Sequence, residues 1–245
     1  RLASTRLPDK PLADIAGIPM VVRVANQARQ SQAVRVAIAT DSPRIADVAR
    51  AHGHEAIMTR ADHASGTERL AEAITLMELA EDTIVVNVQG DEPEIPPALI
   101  DALASCLASD PECPMATAVH PVQSVADWLN PNVVKVVADA EDRALLFSRA
   151  PLPWSRSHLA WGLDAGTPQA RQAFEAAQPL RHIGMYAYRS RFLTRYAQLA
   201  PCALEDIEAL EQLRVLHHGY RIKLLHTDDA PPAGVDTPAD LERGR

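Results

Sequence analysis

The sequence predicts an α/β fold in which helices cover both faces of a mostly parallel, mixed sheet. Short apolar runs rich in strand-forming residues alternate along the chain with stretches of helical periodicity, a pattern typical of parallel strands joined by helices. The 245 residues are 47% hydrophobic, which is enough for one well-buried core. We therefore predict a single domain over residues 1–245.

The first half of the chain contains the clearest elements. Residues 34–40 are apolar and predict a strand, and residues 45–52, after an Asp-Ser-Pro turn, predict a short helix. Residues 83–89 predict a buried strand that stops at a Gly-Asp-Glu-Pro turn. Residues 96–108 predict a helix with proline in its first turn, where the missing N–H group does no harm.

The second half continues the alternation around one long irregular stretch. Residues 204–217 carry apolar side chains on one helical face, and Thr237 is the predicted cap of a closing helix. We predict a mobile flap or an insertion over residues 151–179, because a structureless loop of this length is usually functional or disordered. Further strands are predicted over residues 115–119, 133–138, 144–148, 182–188 and 222–225.

Composition and charge exclude several classes of protein. The net charge is −8, from 24 basic and 32 acidic residues, which argues against nucleic acid as a partner. No apolar run approaches the length of a membrane span, and the N-terminus has no signal-peptide pattern, so we expect a cytoplasmic protein without a membrane partner. The three cysteines are widely spaced and suggest neither a disulfide framework nor a zinc site.

Three sets of polar residues carry the candidate chemistry, and the first is cationic. Arg1, Ser4, Arg6 and Lys10 fall within ten residues of one another. A loop of this kind can surround a triphosphate with charged, hydroxyl and amide donors. A solvated basic loop is the alternative interpretation, and charge alone does not separate the two.

The second set leads directly into a predicted helix. Ser65, Gly66 and Thr67 stand at its start, with Arg69 in the first turn. Helix N-termini present free N–H groups that suit a phosphate or a base carbonyl. The alternative is an ordinary helix cap, with Ser65 or Thr67 as the capping hydroxyl. Spacing alone leaves both interpretations open.

The third set is acidic. Asp91 lies just past the end of a predicted buried strand, where open α/β sheets bind their ligands, and Asp236 lies in the loop after the last strand. Magnesium prefers a few carboxylates together with substrate phosphates, so the two acids could share one ion if both loops open on the same sheet edge. A plain turn residue is the competing interpretation of Asp236. No cysteine–histidine cluster has the spacing of a transition-metal site.

Taken together, these segments closely resemble the CMP-KDO synthetase family, in which KDO is 3-deoxy-manno-octulosonate. The similarity covers nearly the whole chain in the same order, which is more specific than any single motif. It rests on STRLP and KPL at residues 4–12, ATD at 39–41, TRADH and SGTERLAE at 59–72, VNVQGDEP at 86–93, NPNVVKVV at 130–137, FSRA at 147–150, PW at 153–154, RHIGMYAYR at 181–189, LE, IE and LEQLRVL at 204–216, and GVDTP and DLER at 234–243.

The resemblance implies both a fold and a reaction. The fold is a Rossmann-like three-layer α/β/α sandwich of the nucleotide-diphospho-sugar transferase type, with a part near residues 120–190 that serves the sugar site and a homodimer. In the reaction the anomeric hydroxyl of KDO attacks the α-phosphate of CTP, so that CMP-KDO forms for lipopolysaccharide biosynthesis and pyrophosphate leaves. The implied cofactor is Mg²⁺.

The family's site residues carry over by position. The resemblance implies that the triphosphate is held by Arg1, Ser4, Arg6 and Lys10, and the cytidine by Ser65, Gly66, Thr67 and Arg69. Asp91 and Asp236 would hold magnesium and would be catalytic together with Lys10 and Arg6. The implied sugar-site residues are Gln89, Arg149, His182, Tyr186, Glu211 and Gln212.

The sequence departs from the family pattern in three respects. The first strand that usually precedes Arg1 is not part of it, Asp9 stands where glycine is usual, and residues 157–177 form a longer segment. Two alternative functions remain open. One is a cytidylyltransferase for amino-KDO or a sialic acid, and the other is a nucleotide-binding homologue without catalysis.

Overall fold

The computed structural model describes residues 7, 9–63, 65–157, 164–228, 234–235 and 237–243. Its strands are β1 (Asp14–Ile15), β2 (Ile18–Pro19), β3 (Ala37–Thr40), β4 (Glu55–Met58), β5 (Ile84–Asn87), β6 (Met115–Pro121), β7 (Lys135–Ala138), β8 (Ala144–Ser148), β9 (Leu180–Arg189) and β10 (Ile222–His226). Its helices are α1 (Met20–Ala28), α2 (Pro43–Ala51), α3 (Gly66–Leu76), α4 (Pro97–Ser109), α5 (Val125–Leu129), α6 (Pro168–Ala177), α7 (Ser190–Tyr196), α8 (Ala203–Glu208), α9 (Gln212–His217) and α10 (Pro238–Arg243). Among these described residues, no helix has both the length and the apolar character needed to span a membrane.

The chain divides into two compact units. The first consists of Arg1–Ala108, Met185–Gln198 and Pro231–Arg245, and the second of Ser109–Gly184 and Leu199–Ala230. Strand β9 therefore contributes its first half to the second unit and its second half to the first. The single-domain assignment and the role given to residues 120–190 stay predictions.

The first unit combines parallel and antiparallel strand pairs with helices. β3 pairs with β4 in parallel, and β5 pairs in antiparallel orientation with the second half of β9. Helix α1 is apolar along one face and buries it, with Val22 packed in a cluster with Ile45 of α2. A second cluster, which anchors the C-terminal segment on α1 and the β1–β2 hairpin, consists of Ile15, Met20, Val235 and Leu241.

The second unit contains strands in the order β10-β6-β9-β7-β8. β10 and β6 are parallel, whereas β7 is antiparallel to both β8 and β9. Six of the seven residues of β6 are buried, as expected of a strand that is covered on both faces. Helices α5 and α6 pack through Trp128 and Phe174, whose ring centroids lie 6.0 Å apart.

The α/β class with a mixed sheet is confirmed, but two predictions about single elements are wrong. The helix predicted over residues 204–217 is interrupted at Ala209, whose φ of 51° is left-handed, so that α8 and α9 are separate. Residues 151–179 are not wholly irregular, because α6 lies within them and is capped by Thr167. Proline at the first helical position and a hydroxyl before it are favourable start signals that the sequence analysis overlooked there.

Several helices start directly after a residue whose side-chain hydroxyl accepts a backbone N–H group of the first turn. Ser42 accepts the backbone N–H of Ile45, so α2 begins at Pro43, two residues before the predicted start. Thr237 accepts the N–H of Asp240 at 3.2 Å, which confirms its predicted capping role. Such caps satisfy N–H groups that have no partner inside the helix.

Candidate active site

A lysine and an aspartate that are 81 residues apart in the sequence meet in the first unit. Lys10 begins one turn of 3-10 helix, and its Nζ lies 2.5 Å from Oδ2 of Asp91, a few residues after β5. The side chain of Lys10 is 13% exposed and that of Asp91 is 33% exposed, so the two charges attract more strongly than they would on an open surface. Two of the predicted catalytic residues are therefore in contact.

The turn before Lys10 has the geometry that its unusual residue allows. Asp9 adopts the left-handed region, with a φ of 53°, and aspartate tolerates this region better than most residues other than glycine. Its carboxylate also pairs with Arg44 at 3.1 Å. The replacement of the family's usual glycine is therefore compatible with the backbone that presents Lys10.

The segment that precedes Asp236 approaches Asp91. The backbone N–H of Val235 donates to the carbonyl oxygen of Asp91 at 2.8 Å, and a Cβ atom on Gly234 would lie only 3.1 Å from the same oxygen. Asp236 itself lies outside the described residues. The same holds for three residues of the predicted phosphate loop, Arg1, Ser4 and Arg6.

Glu92 is a half-buried acid beside Asp91 that the sequence analysis did not single out. Burial, and then the charge of Asp91, raise the pKa of Glu92 to about 7. Its Oε2 atom is buried and has no hydrogen-bond partner among the described residues. Carboxylate oxygens are hard ligands that suit magnesium, so the neighbouring carboxylates of Asp91 and Glu92 fit such an ion chemically. In the described part of the chain, acidic, histidine and cysteine side chains form no metal-holding group of three or more.

The start of α3 is a helix cap, which was one of the two predicted interpretations. Ser65 Oγ accepts the backbone N–H of Glu68 at 3.2 Å, and Thr67 is buried in the first turn. Apart from its chain neighbours and the nearby backbone of α3, no described atom lies within 4 Å of a Cβ built on Gly66, so there is open space beside the backbone at this point. The nucleotide-binding role of these residues stays a prediction.

Arg69 uses its guanidinium group on contacts inside the first unit. Its Nη2 lies 3.0 Å from Oδ2 of Asp41, and its Nη1 donates to Oγ1 of Thr59 at 2.6 Å. A further hydrogen bond of 3.3 Å reaches the carbonyl oxygen of Arg60. The side chains of Arg69 and Asp41 are 9% and 17% exposed. Arg69 therefore ties the loop that follows β4 to α3.

Glu72 holds the same loop from one turn further along α3. One of its carboxylate oxygens accepts the backbone N–H of Arg60 at 3.0 Å and bonds to Nε2 of His63. The bond with His63 is the main cause of the lowered pKa of Glu72. Because Arg69 and Glu72 are three residues apart, they lie on one helical face. Together they fix the loop at both of its ends.

Arg69→Ala should lower the free energy of unfolding by about 2–3 kcal/mol, because it leaves the Asp41 carboxylate mostly buried without its partner. Urea denaturation measures this change. The matched control is Arg60→Ala, since Arg60 pairs with Asp62 at an exposed position, where an ion pair contributes about 1 kcal/mol or less. An equal decrease in the free energy of unfolding for the two substitutions would contradict the conclusion that Arg69 ties the loop after β4 to α3.

Two of the predicted sugar-site residues lie in the first unit. Tyr186 is half-buried on β9 and stands opposite Asn87 of β5 in the strand register. Gln89 follows β5 by two residues and is exposed. The end of β5 thus carries Gln89 and Asp91 on one short loop.

The other predicted sugar-site residues lie in the second unit. His182 on β9 bonds through Nε2 to Oγ1 of Thr117 at 2.9 Å, and its ring meets that of Phe147 edge-on at 5.0 Å. Burial of the imidazole lowers the pKa of His182 to about 3, so its ring is neutral at physiological pH. A neutral imidazole offers one donor and one acceptor.

Gln212 and Glu211 stand at the start of α9, and Arg149 follows β8. Gln212 is only 3% exposed, and its Nε2 has no hydrogen-bond partner among the described residues. Glu211 is exposed. Arg149 donates from Nε to the carbonyl oxygen of Glu208 at 2.6 Å and from Nη1 to that of Pro131 at 3.0 Å.

Residues 1–222 match the protein-family model described as Cytidylyltransferase. The chain belongs to the cytidylyltransferase family. Across 99% of its length it is 41% identical to a solved structure named as CMP:2-keto-3-deoxy-manno-octonic acid synthetase complexed with CTP, of which it covers 92%, with a TM-score of 0.87. These matches confirm the resemblance to CMP-KDO synthetases, and they make the chain a nucleotidyltransferase.

A more distant solved structure shares the fold of this cytidylyltransferase. It is a cytidylyltransferase from Leptospira borgpetersenii serovar Hardjo-bovis (strain JB197), with 13% identity over 98% of this chain and 80% of the other. The TM-score is 0.57. At this level of identity the likeness concerns the fold alone.

The neutral His182 predicts acid sensitivity of the cytidylyltransferase. An unfolded histidine titrates near pH 6.5, whereas native His182 stays neutral down to a pH of about 3. Between these values the unfolded state binds a proton that the native state does not. This site therefore lowers the free energy of unfolding as the pH falls below 6.5, by at most about 1.4 kcal/mol per pH unit.

The test compares the wild-type protein with His182→Asn by urea denaturation at about pH 7.5 and about pH 5. Other titrating groups are common to both proteins, so their contributions cancel in the difference. The wild-type protein should lose more stability on acidification than the variant. Parallel loss in the two proteins would show that His182 titrates normally in the native state.

Several structural partners in this cytidylyltransferase had no assigned role from sequence. They lie within stretches that carry the family resemblance, so their position in a motif was the available signal. Their pairing could not be read from spacing, because Arg69 reaches Asp41 across 28 positions. These partners are Asp41, His63 and Glu72. Glu92, with its raised pKa, is a further residue of the site that had no assigned role.

Proposed function

We propose that this cytidylyltransferase transfers CMP from CTP to the anomeric hydroxyl of KDO and releases pyrophosphate. The observation that carries the proposal is the 41% identity, over 99% of the chain, to a CMP:2-keto-3-deoxy-manno-octonic acid synthetase in complex with CTP. The contact between Lys10 and Asp91 also supports the proposal. Enzymes that act on nucleoside triphosphates use a cation to neutralise the phosphates, and a carboxylate to hold the magnesium ion that the phosphates also bind.

On the donor side, the cations of the first segment neutralise the triphosphate. We infer that Lys10 binds it together with Arg1, Ser4 and Arg6. Nucleotidyl transfer asks the protein mainly for positioning and charge neutralisation, so the mechanism contains no covalent intermediate with the enzyme. The Lys10 ammonium and the Arg6 guanidinium stabilise the charge that develops on the leaving pyrophosphate.

The cytidine is the proposed ligand of the segment at the start of α3. Ser65, Gly66 and Thr67 border the open space there, and Arg69 keeps the preceding loop in place through Asp41 and Thr59. A fixed loop supports recognition of a base, because its polar groups need not be ordered when the nucleotide binds.

Asp91 and Asp236 are the proposed ligands of Mg²⁺. The hydrogen bond from Val235 to the Asp91 carbonyl supports this pairing, since it brings the neighbour of Asp236 against Asp91. Held by these two carboxylates, the ion would supply Lewis-acid chemistry that polarises the α-phosphate and lowers the pKa of the attacking hydroxyl. In the chain itself, Asp91 would exchange its contact with Lys10 for the ion, and Lys10 would turn to the phosphates.

On the acceptor side, hydrogen-bonding groups dominate over charge. Neutral His182 can bond a sugar hydroxyl. The Nε2 of Gln212, which meets no acceptor among the described residues, can donate to an oxygen of the sugar acid, which would satisfy a buried donor. Arg149 is the cation of the set and is proposed to face the carboxylate of the sugar acid. The remaining proposed acceptor residues are Gln89, Tyr186 and Glu211.

The proposed reaction has a biological setting that follows from its product. CMP-KDO is an activated sugar for lipopolysaccharide biosynthesis, and we expect the enzyme in the cytoplasm, where CTP is made. We also propose that it acts as a homodimer, with residues 120–190 contributing to the sugar site and to the contact between subunits. Sedimentation of the purified protein would test the dimer.

The test of the function is release of pyrophosphate from CTP and Mg²⁺ in the presence of KDO, amino-KDO or a sialic acid. KDO should give the highest kcat/KM, with ATP, GTP and UTP as matched controls for the donor. Preference for another sugar acid would establish the alternative cytidylyltransferase. Binding of CTP without turnover of any acid would establish a nucleotide-binding homologue without catalysis.

A further inference from the structure

The turn between α8 and α9 carries two residues of the proposed acceptor site. It runs from Glu208 to Gln212 and contains Ala209, whose backbone is in the left-handed region. An alanine in this region is strained, because its Cβ approaches the following carbonyl. Such a turn persists only when its surroundings hold it. The second unit holds it by two sets of contacts.

The first set is a buried ion pair that joins the two helices. Glu205 of α8 accepts two hydrogen bonds from Arg214 of α9, at 2.7 and 2.6 Å. Both side chains are 9% exposed. A bidentate pair of this kind fixes distance and orientation together, so the helices on either side of the turn cannot slide independently. The backbone N–H of Leu210 also donates to the Glu205 carbonyl at 3.1 Å.

The second set holds the turn against the strands of the second unit. The Glu208 carboxylate accepts the Ser148 hydroxyl at 2.6 Å and the backbone N–H of Arg149 at 2.9 Å. The Arg149 side chain donates in return to the Glu208 carbonyl. The Arg149 carbonyl accepts a bond from the buried Lys135 ammonium at 2.7 Å. The first end of the turn, Glu208, is therefore attached to groups that are themselves held.

The last residue of this turn, Gln212, has a buried donor without an acceptor in the described part of the chain. Gln212 is almost completely buried, yet its Nε2 lacks a hydrogen-bond partner among the described residues. A buried donor without an acceptor costs about 1–3 kcal/mol, and such atoms are rare in native proteins. The protein tolerates this cost at the start of α9, where a ligand oxygen would remove it.

We propose that Glu205 and Arg214 are positioning residues for the sugar-acid acceptor. They hold the α8–α9 turn so that Glu211 and Gln212 are presented in the geometry that binds the acceptor. This inference rests on the proposed function, which assigns those two residues to the sugar. Stability alone is a weak reason for such a pair, because apolar residues of similar volume often replace a buried ion pair without loss.

The test replaces both charges at once, in the double variant Glu205→Leu with Arg214→Met. Apolar replacement of both partners avoids an uncompensated buried charge, so the variant should fold with a Tm close to that of the wild-type protein. The KM for the sugar acid should rise at least about tenfold, because small displacements of binding groups are costly. The KM for CTP should stay within about twofold, because the two replaced residues belong to the second unit, whereas the residues assigned to CTP belong to the first.

Two further variants separate positioning from general disturbance. Arg214→Lys retains the charge but not the bidentate geometry, so its KM for the sugar acid should lie between those of the wild-type protein and the double variant. The matched control removes an exposed pair, by Asp82→Asn with Arg191→Gln, and should leave both KM values unchanged. An unchanged KM for the sugar acid in the double variant, or equal rises in both KM values, would overturn the proposal.

Failure of the proposed function would be recognised separately. The wild-type protein is assayed first with each sugar acid, and the KM comparison then uses whichever acid is turned over. If none is turned over, hydrogen exchange of the amides at residues 209–214 decides. Exchange at least about tenfold faster in the double variant than in the wild-type protein would support the positioning role, and unchanged exchange would overturn it.

Discussion

Asp91→Asn should lower kcat/KM for nucleotidyl transfer by about 10²–10³-fold, because it removes a charge from the proposed metal site at the reacting phosphate. Asparagine keeps the size of the side chain and one oxygen, so the fold should be retained. The measurement is pyrophosphate release at saturating Mg²⁺, with circular dichroism to check the fold. The loss should persist at high concentrations of both substrates, since the transition state rather than ground-state binding is affected.

The matched control for Asp91→Asn is Glu94→Gln, three residues further along the same loop. Glu94 is exposed, so the loss of its charge should change kcat/KM by no more than about twofold. A variant Asp91→Asn with near-normal turnover would remove this residue from the mechanism. Similar losses for both variants would point to a general effect of loop charge.

A second comparison asks whether Asp91 and Asp236 share one ion. If they do, the combined variant Asp91→Asn with Asp236→Asn should be scarcely worse than the poorer single variant, because residues that act as a unit are not additive. If each acts alone, the two losses should multiply. Multiplied losses would separate the two carboxylates and contradict the shared site.

Lys10→Ala should lower kcat/KM for CTP by about 10²-fold, because it deletes the cation that we propose stabilises the charge developing on the pyrophosphate. Lys10→Arg should retain part of the activity, because the positive charge is kept although the compact ammonium is replaced by a larger planar guanidinium. Steady-state kinetics with varied CTP measures both. The free energy of unfolding should change little, because Asp91 is accessible enough for water to replace its partner.

The control for Lys10→Ala is Arg44→Ala, which removes a cation from the same neighbourhood. Arg44 contacts Asp9, the residue before Lys10, at an exposed position. Its loss should change kcat/KM for CTP by less than about threefold. Unchanged CTP kinetics in Lys10→Ala would show that the first segment does not bind the triphosphate.

Strong local signals account for the parts of the fold that sequence predicted. The strand near residues 83–89 and the helix near residues 96–108 combine apolar runs with clear end signals, and both are present as β5 and α4. The strand was predicted to be buried, but the residues of β5 are only partly buried. The break between α8 and α9 was missed because the apolar period continues across it. Alanine at position 209 gives no turn signal, and tertiary contacts impose its left-handed backbone.

The residues of the candidate site were predicted from their positions in motifs, not from contacts between their side chains. Lys10 and Asp91 were both singled out, but their direct contact depends on folding across 81 positions. Arg69 was assigned to the nucleotide, whereas its visible contacts are internal. The ion pair between Glu205 and Arg214 was also not predicted, because residues that are nine positions apart do not share a face on one continuous helix.

The contact between Lys10 and Asp91 should make the binding of the donor nucleotide and the binding of the divalent cation depend on each other. Before substrate arrives, the ammonium group is the counterion of the carboxylate, so a divalent cation that binds Asp91 as proposed must displace it. A nucleoside triphosphate offers the lysine a new anion in exchange. Donor nucleotide and cation should therefore show positive heterotropic linkage, each tightening the other's binding by the same factor.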